Sequence, residues 1–164
     1  MTRRRSARWF WVSLGILLLD QATKFVVETR TSESFRHTLI PSFVTLVHSH
    51  NPGIAFGLFA DARSPWLGGL LIAGSAAVIA LLAWLLAAGR LGTRRAQAAL
   101  ALILGGAVGN LVDRVLHGSV TDFFEVGVGR FHWPAFNVAD SAIVIGALLL
   151  VFELLFAWPL ESEE

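Results

Sequence analysis

The sequence predicts an all-α membrane bundle of four transmembrane helices, with a small extracytoplasmic β element in the first outer loop. Three observations predict it. Hydrophobic residues make up 55% of the 164 and charged residues 15%, against roughly 45–50% and 25% in soluble domains. Four stretches, 9–27, 66–88, 96–115 and 138–158, are each apolar over the ~20 residues that a helix needs to cross a bilayer. Arginines gather beside these stretches instead of spreading along the chain, as they do where charge sets membrane orientation. The mean hydropathy of +0.64 agrees with lipid as the solvent. At this length a single domain over 1–164 is expected.

The first helix follows Arg3, Arg4, Arg5 and Arg8, which makes it resemble a cleavable signal peptide. Apolar character resumes after Asp20 with Phe25, Val26 and Val27, however, and no Ala-x-Ala site follows, so an uncleaved helix is the expectation. Trp9, Trp11, Trp66, Trp133 and Trp158 lie near the ends of the apolar stretches, where interfacial anchors belong. Arg90, Arg94 and Arg95 mark the link between helices 2 and 3 as a second cytoplasmic segment. Parity then puts both termini in the cytoplasm and loops 28–65 and 116–137 outside. Glu161, Glu163 and Glu164 weigh little in that rule. Basic clusters beside apolar runs serve orientation, and no nucleic-acid partner is expected.

Within the first outer loop, Ser42–Ser49 alternates apolar and polar residues with β-branched types and predicts a strand. Asn51-Pro-Gly breaks it, and Ile54–Phe59 follows as an apolar stretch at interface height. Ser119–Val126 is a shorter strand candidate. Gly127 and Gly129 are placed in a turn, and Phe131–Pro134 in a segment dipping into lipid headgroups.

On this topology, polar residues collect at one depth. Helix 1 runs outward, with Asp20 about 11 Å below its outer end at 1.5 Å per residue. Asn110, Asp113 and Arg114 occupy the last turns of helix 3 at i, i+3 and i+4. Asn137, Asp140 and Ser141 repeat that spacing at the start of helix 4, so each set shares a helical face. Asp122 lies in the loop between them and Asn51 in the other outer loop. Ionisable groups inside a membrane cost at least about 2.5 kcal/mol each and point to function. Simpler roles stand beside that. Asp20 and Lys24 are spaced as a snorkelling ion pair. Asp113 beside Arg114 suits a structural pair, and Asn137 suits a helix cap. Gly105, Gly106 and Gly109 suit close helix packing. His48 and His50 share a strand face and hint at a metal, but no third ligand is in view and none is expected. With no cysteine, thiol chemistry and disulfides are excluded.

These residues fall into five motifs. In order they are Leu19-Asp-Gln-Ala-Thr-Lys, Asn51-Pro-Gly-Ile-Ala-Phe-Gly, Gly106-Ala-Val-Gly-Asn-Leu-Val-Asp-Arg, Val120-Thr-Asp-Phe-Phe and Phe136-Asn-Val-Ala-Asp-Ser. Together they resemble the lipoprotein signal peptidases (signal peptidase II), aspartic proteases of bacterial membranes, over nearly the whole chain. The resemblance implies Asp122 and Asp140 as the catalytic pair. It implies that Asp20, Lys24, Asn51, Gly53, Asn110, Asp113, Arg114 and Asn137 bind substrate or support the site, with Asp113 placing Arg114. It further implies cleavage of lipid-modified prolipoproteins just before the diacylglyceryl-modified cysteine, with no metal and no cofactor. Membrane lipids and globomycin-type cyclic peptide inhibitors would be the other partners. The site would lie near the outer face of the bacterial cytoplasmic (inner) membrane. Two rivals are weighed against this: a small transporter or channel using the charges as a relay, and a Ser-Lys protease pairing Lys24 with Ser141.

Overall fold

The structure, a computed structural model, describes residues 3–53, 65–89 and 93–157. Ile54–Phe59, Arg90, Trp158 and the acidic tail lie outside the described residues, as do the side chains of Arg3, Arg4 and Arg5. The helices are α1 (Arg3–Arg30), α2 (Pro65–Ala88), α3 (Arg94–His117) and α4 (Val138–Phe152), the last continuing as a π-helical turn over Glu153–Ala157. Each is long and apolar enough to cross a membrane. At 1.5 Å per residue the 28-residue α1 is about 42 Å long, more than the ~30 Å hydrocarbon core. The helix therefore exceeds that core by about 12 Å, which tilt or an end beyond the lipid must absorb.

α3 is the central helix. Its N-terminus is capped by Thr93, whose hydroxyl oxygen accepts from the Ala96 amide at 3.1 Å. Its C-terminus stops at Gly118, which takes the left-handed conformation that glycine adopts without penalty (φ 76°). The neighbours approach closely because glycines line the contacts. A Cβ on Gly105 would lie 2.6 Å from the Ser13 carbonyl oxygen of α1, and one on Gly106 would strike the Ala139 carbonyl of α4. Leu82 and Leu86 of α2 pack on Leu100, Ala101 and Leu104 of α3 as an apolar core. Leu18, Phe25, Val78, Leu148 and Leu155 face outward, where lipid takes the place of protein contacts.

The β structure is larger than the sequence suggested. Strands β1 (Arg36–Ile40), β2 (Val44–Asn51), β3 (Val120–Val128) and β4 (Phe131–Phe136) form one antiparallel sheet in that order. It joins both long connections: the expected strands at Ser42–Ser49 and Ser119–Val126 are present as β2 and β3, and β1 and β4 extend them. β1 was missed because all five of its residues are exposed, so no burial pattern writes it into the sequence. One further expectation is corrected. Gly127 is a β3 residue paired with His132, and the turn falls at Gly129 and Arg130. Phe131–Pro134 belongs to β4 and pairs with β3. Trp133 is accordingly a strand residue, and it lines a cavity.

Candidate functional site

Buried polar residues concentrate where α1, α3 and α4 meet β3. Asp20, Lys24, Asn110, Asp113, Thr121, Asp122 and Asn137 are all buried. Their base is an ion cluster. The Lys24 ammonium lies 2.8 Å from a carboxylate oxygen of Asp20 and 2.8 Å from one of Asp113. Its third contact is the Asn110 side-chain oxygen at 3.0 Å. Lys24 is only 3% exposed, which corrects the snorkelling picture: its charge is sealed in protein. Asp113 is corrected too. Its partners are Lys24, the Gln21 amide at 2.8 Å and the Thr121 backbone amide at 3.3 Å, and it does not hold Arg114. Asp20 spends its other oxygen on the Ala139 amide at 2.9 Å, capping α4 from a different helix.

Above this base, each amide side chain has its direction fixed by an obligatory partner. Asn110 must turn its oxygen to the Lys24 ammonium, so its NH2 faces Asp140 at 2.8 Å. Asn137 must turn its oxygen to the Asp140 backbone amide (2.8 Å), because it is the N-cap of α4; its NH2 then faces Asp122 at 2.7 Å. Asn51 turns its oxygen to the Gly53 amide (3.0 Å) and its NH2 to the other oxygen of Asp122 (3.2 Å). Asp140 completes the capping box by accepting from the Asn137 backbone amide at 3.3 Å. All four carboxylate oxygens of Asp122 and Asp140 thus receive an N–H.

Arg114 donates to the Asn110 carbonyl (3.2 Å) and to the Gly53 carbonyl (2.9 Å), tying the turn after β2 to α3. Asp122 and Asp140 both line one cavity of about 370 Å³, with Asn51, Asn110, Arg114 and Trp133 around them. Burial, and then the nearby Asp140 charge, push the Asp122 carboxyl up from 3.8 to about 7, against the hydrogen bonds from Asn51 and Asn137. A second cavity, lined by Trp133, Phe136, Val144 and Ile145, opens beside Asp140.

Every site residue named from the sequence therefore enters one connected network. Gln21 and Thr121, present in the motifs without an assigned role, and Glu28 join it as well. Asp20, Lys24 and Glu28 recur every four residues on one face of α1, and that stripe was the available signal. His48 and His50 stand apart from the aspartates, against Glu28.

Comparison with known proteins agrees with this geometry. A family model described as signal peptidase (SPase) II matches residues 12–156. A protein of Solibacter usitatus (strain Ellin6076), named lipoprotein signal peptidase, is 46% identical over 151 residues, covering 90% of this chain and 92% of its own. A Paraburkholderia phymatum protein of the same name is 45% identical, covering 90% and 87%. Two solved structures, titled as bacterial membrane enzyme structures by the in meso method, superpose with TM-scores of 0.84 and 0.80. They share 26% and 25% identity and cover 96% and 93% of this chain. They cover 93% and 95% of their own chains.

Proposed function

Because this chain belongs to the signal peptidase II family, and is a peptidase on that ground, we propose that it removes signal peptides from prolipoproteins by aspartic chemistry at Asp122 and Asp140. The observation that carries this reading is the pair itself. Two carboxylates from separate elements, β3 and α4, face one cavity, and fixed amide donors hold each of them. Carboxyls sharing a site do not both ionise readily, so near neutral pH the pair retains one proton.

That arrangement supports a general acid–base hydrolysis. The ionised carboxylate takes a proton from a water, whose oxygen attacks the scissile carbonyl carbon. The protonated carboxyl donates to the carbonyl oxygen as it becomes tetrahedral. The base then returns the proton to the departing amide nitrogen as the C–N bond breaks. Asn110, Asn137 and Asn51 keep the carboxyls aimed through this cycle. Arg114 holds the Asn51-Pro-Gly turn over the cavity through Gly53. The second cavity, with its aromatic and aliphatic walls, suits the lipid arms of a diacylglyceryl-modified cysteine, and cleavage falls just before that residue. Arginine asymmetry supports a site at the outer face of the bacterial cytoplasmic membrane, with both termini cytoplasmic.

The rival readings fare worse on specific contacts. A Ser-Lys pair needs a free Lys24, whose N–H groups are taken by Asp20, Asp113 and Asn110, while Ser141 donates to the Asn137 carbonyl. A relay across the bilayer needs polar groups beyond the site. Beyond it, Leu82, Leu86, Leu100 and Leu104 pack as an apolar core, and Ser13, Gln97 and Glu153 are the polar residues buried outside the site on the described helices. The test is incubation of the purified protein, in detergent, with a lipid-modified prolipoprotein. Mass spectrometry should find a product beginning at the modified cysteine. A product cut elsewhere, or equal cleavage of the unmodified precursor, refutes the proposed specificity.

A further inference from the structure

Away from the aspartates, the end of α1 meets β2 in a second cluster of ligating side chains. Glu28 lies in the last turns of α1, and His48 and His50 stand two apart on one face of β2. One Glu28 oxygen is 3.5 Å from His48 Nε2 and the other 2.8 Å from His50 Nε2. One ligand atom from each of the three residues lies within 4.8 Å of the others. Donors about 2.0–2.1 Å from a tetrahedral zinc ion are roughly 3.4 Å apart. The two Glu28–histidine separations bracket that spacing, and with no pair wider than 4.8 Å the three side chains need to close by at most about 1.4 Å to share one ion.

The hydrogen bonds around His48 decide which atom faces the cluster. The Thr31 hydroxyl donates its proton to the Val27 carbonyl at 2.8 Å, so its oxygen can only accept from His48 Nδ1, 3.0 Å away. His48 must therefore carry its proton on Nδ1 when neutral, and Nε2 presents a lone pair. That nitrogen is buried, has no hydrogen-bond partner among the described residues, and points at a carboxylate oxygen. A lone pair facing an anion is an unfavourable contact that a shared cation turns into a favourable one. His50 is held differently: its Nε2 lies 2.8 Å from a Glu28 oxygen and donates to it, so an ion binding there displaces that proton, as ligand protons are displaced on metal binding. The Glu33 carboxylate stands 3.6 Å from its Nδ1, on the side where an outer carboxylate supports a metal-bound imidazole. Glu28 and His50 are each about one-third exposed (35% and 33%), which gives an ion a route in from solvent.

We infer that Glu28, His48 and His50 form a binding site for a divalent ion of the zinc class, with water completing the coordination, that clasps the end of α1 to β2. Imidazole with one carboxylate is a borderline donor set suited to zinc rather than to calcium or magnesium. Glu28 also accepts from the Thr121 hydroxyl, so the clasp reaches β3 one residue before Asp122. It touches neither aspartate and does not rest on the proposed peptidase chemistry.

The test uses the full chain in detergent, with any affinity tag removed, stripped with a chelator and titrated with Zn²⁺ alone. One equivalent per chain should bind, the melting temperature should rise with Zn²⁺, and X-ray absorption should show two imidazole ligands. His50→Gln, at the exposed side of the cluster, should lose saturable binding while keeping the fold. Thr31→Val keeps all three ligands but releases the tautomer, and should weaken binding about 10–100-fold. His132→Ala, in β4, should change nothing. Absence of 1:1 uptake by the wild type overturns the inference, as does equal uptake by His50→Gln or loss of uptake in His132→Ala. None of these readouts depends on cleavage, so failure of the peptidase reading leaves the result standing.

Discussion

Replacing Asp122 with Asn separates what the carboxyl does in the reaction from what it does to the fold. The side chain keeps its shape but can neither give nor take a proton. General acid and base roles are each worth about 10²–10⁴-fold, and the substitution removes the shared proton on which both depend, so cleavage should fall by at least about 10³-fold. Stability should move the other way at alkaline pH. Asp122 is 3% exposed, and its carboxyl rises from 3.8 to about 7. Between those values the folded chain holds a proton that the unfolded chain has released, so stability falls as pH rises through that window and stays lowered above it. The difference corresponds to about 4 kcal/mol. Asn escapes it, yet its NH2 must face the NH2 of Asn51 or Asn137, at about 1–3 kcal/mol for the lost bond. The contact given up should be the longer one, to half-buried Asn51. At pH 8 the variant should therefore be more stable than wild type by about 1–3 kcal/mol. At pH 5, where about 1.6 kcal/mol of the wild-type cost has already developed and offsets the lost bond, that advantage should disappear.

The assay pairs cleavage of a lipid-modified prolipoprotein with thermal unfolding followed by tryptophan fluorescence, at pH 5 and pH 8 and at matched protein concentration. Asp140→Asn, run alongside, should lose cleavage to the same degree. An Asp122→Asn protein that cleaved at a tenth of the wild-type rate would refute the catalytic assignment. One that lost activity but melted well below wild type at pH 8 would show that the carboxylate is a structural hydrogen-bond acceptor, and the proposed origin of its raised pKa would be wrong.

Other expectations follow from neighbouring contacts. The cleavage rate should drop about tenfold per pH unit once the pair loses its shared proton, from near pH 7 upward; a rate flat to pH 9 would contradict a proton-sharing pair. Lys24→Met strands two buried carboxylates, a loss of about 3–5 kcal/mol, and should abolish accumulation in membranes, as immunoblotting would show. Asp113→Asn keeps an oxygen for Lys24 and should accumulate and turn over measurably. Gly106→Val places a branched side chain against the Ala139 backbone of α4 and should leave protein that aggregates on extraction, seen by size-exclusion chromatography. Reporter fusions at Thr93 should signal the cytoplasm and those at Gly127 the outside; the reverse would overturn the orientation.

The helices were legible because lipid imposes one rule on the whole chain: a spanning segment must be a long apolar helix. A polar cluster was legible because charge is costly in that solvent, whereas the choice of Asp122 and Asp140 as the pair, and of Asn51 and Gly53 as their neighbours, rested on the motif resemblance. Partner identity was not legible. Adjacency suggested Asp113 with Arg114, but consecutive helical residues point about 100° apart, and the structure sends Asp113 to Lys24 and Gln21 on α1. The sheet was legible only where one face is buried. β2 buries Val47 and His48, whereas β1 and β4 are exposed along most of their length and are held by backbone ladders to their neighbours. Glu28 escaped notice for a related reason: it completes the histidine pair from a helix that the sequence separates from β2 by a turn and another strand.

The distance between Lys24 and the aspartates is itself part of how the site works. An ammonium in direct contact with Asp122 or Asp140 would stabilise the ionised form and strip the pair of its shared proton. Here the Lys24 charge is neutralised first by Asp20 and Asp113, each at 2.8 Å. Its contact with the pair runs through Asn110, which converts a charge into a direction: oxygen toward Lys24, NH2 toward Asp140. Lys24 is accordingly the weakest of the influences on Asp122, behind burial, the Asp140 charge and the two amide hydrogen bonds. A cation is needed to fix the amide, two anions are needed to quiet the cation, and one of those anions caps the helix that carries Asp140. Removing any one of them changes the proton affinity of the pair as well as the packing of α1, α3 and α4.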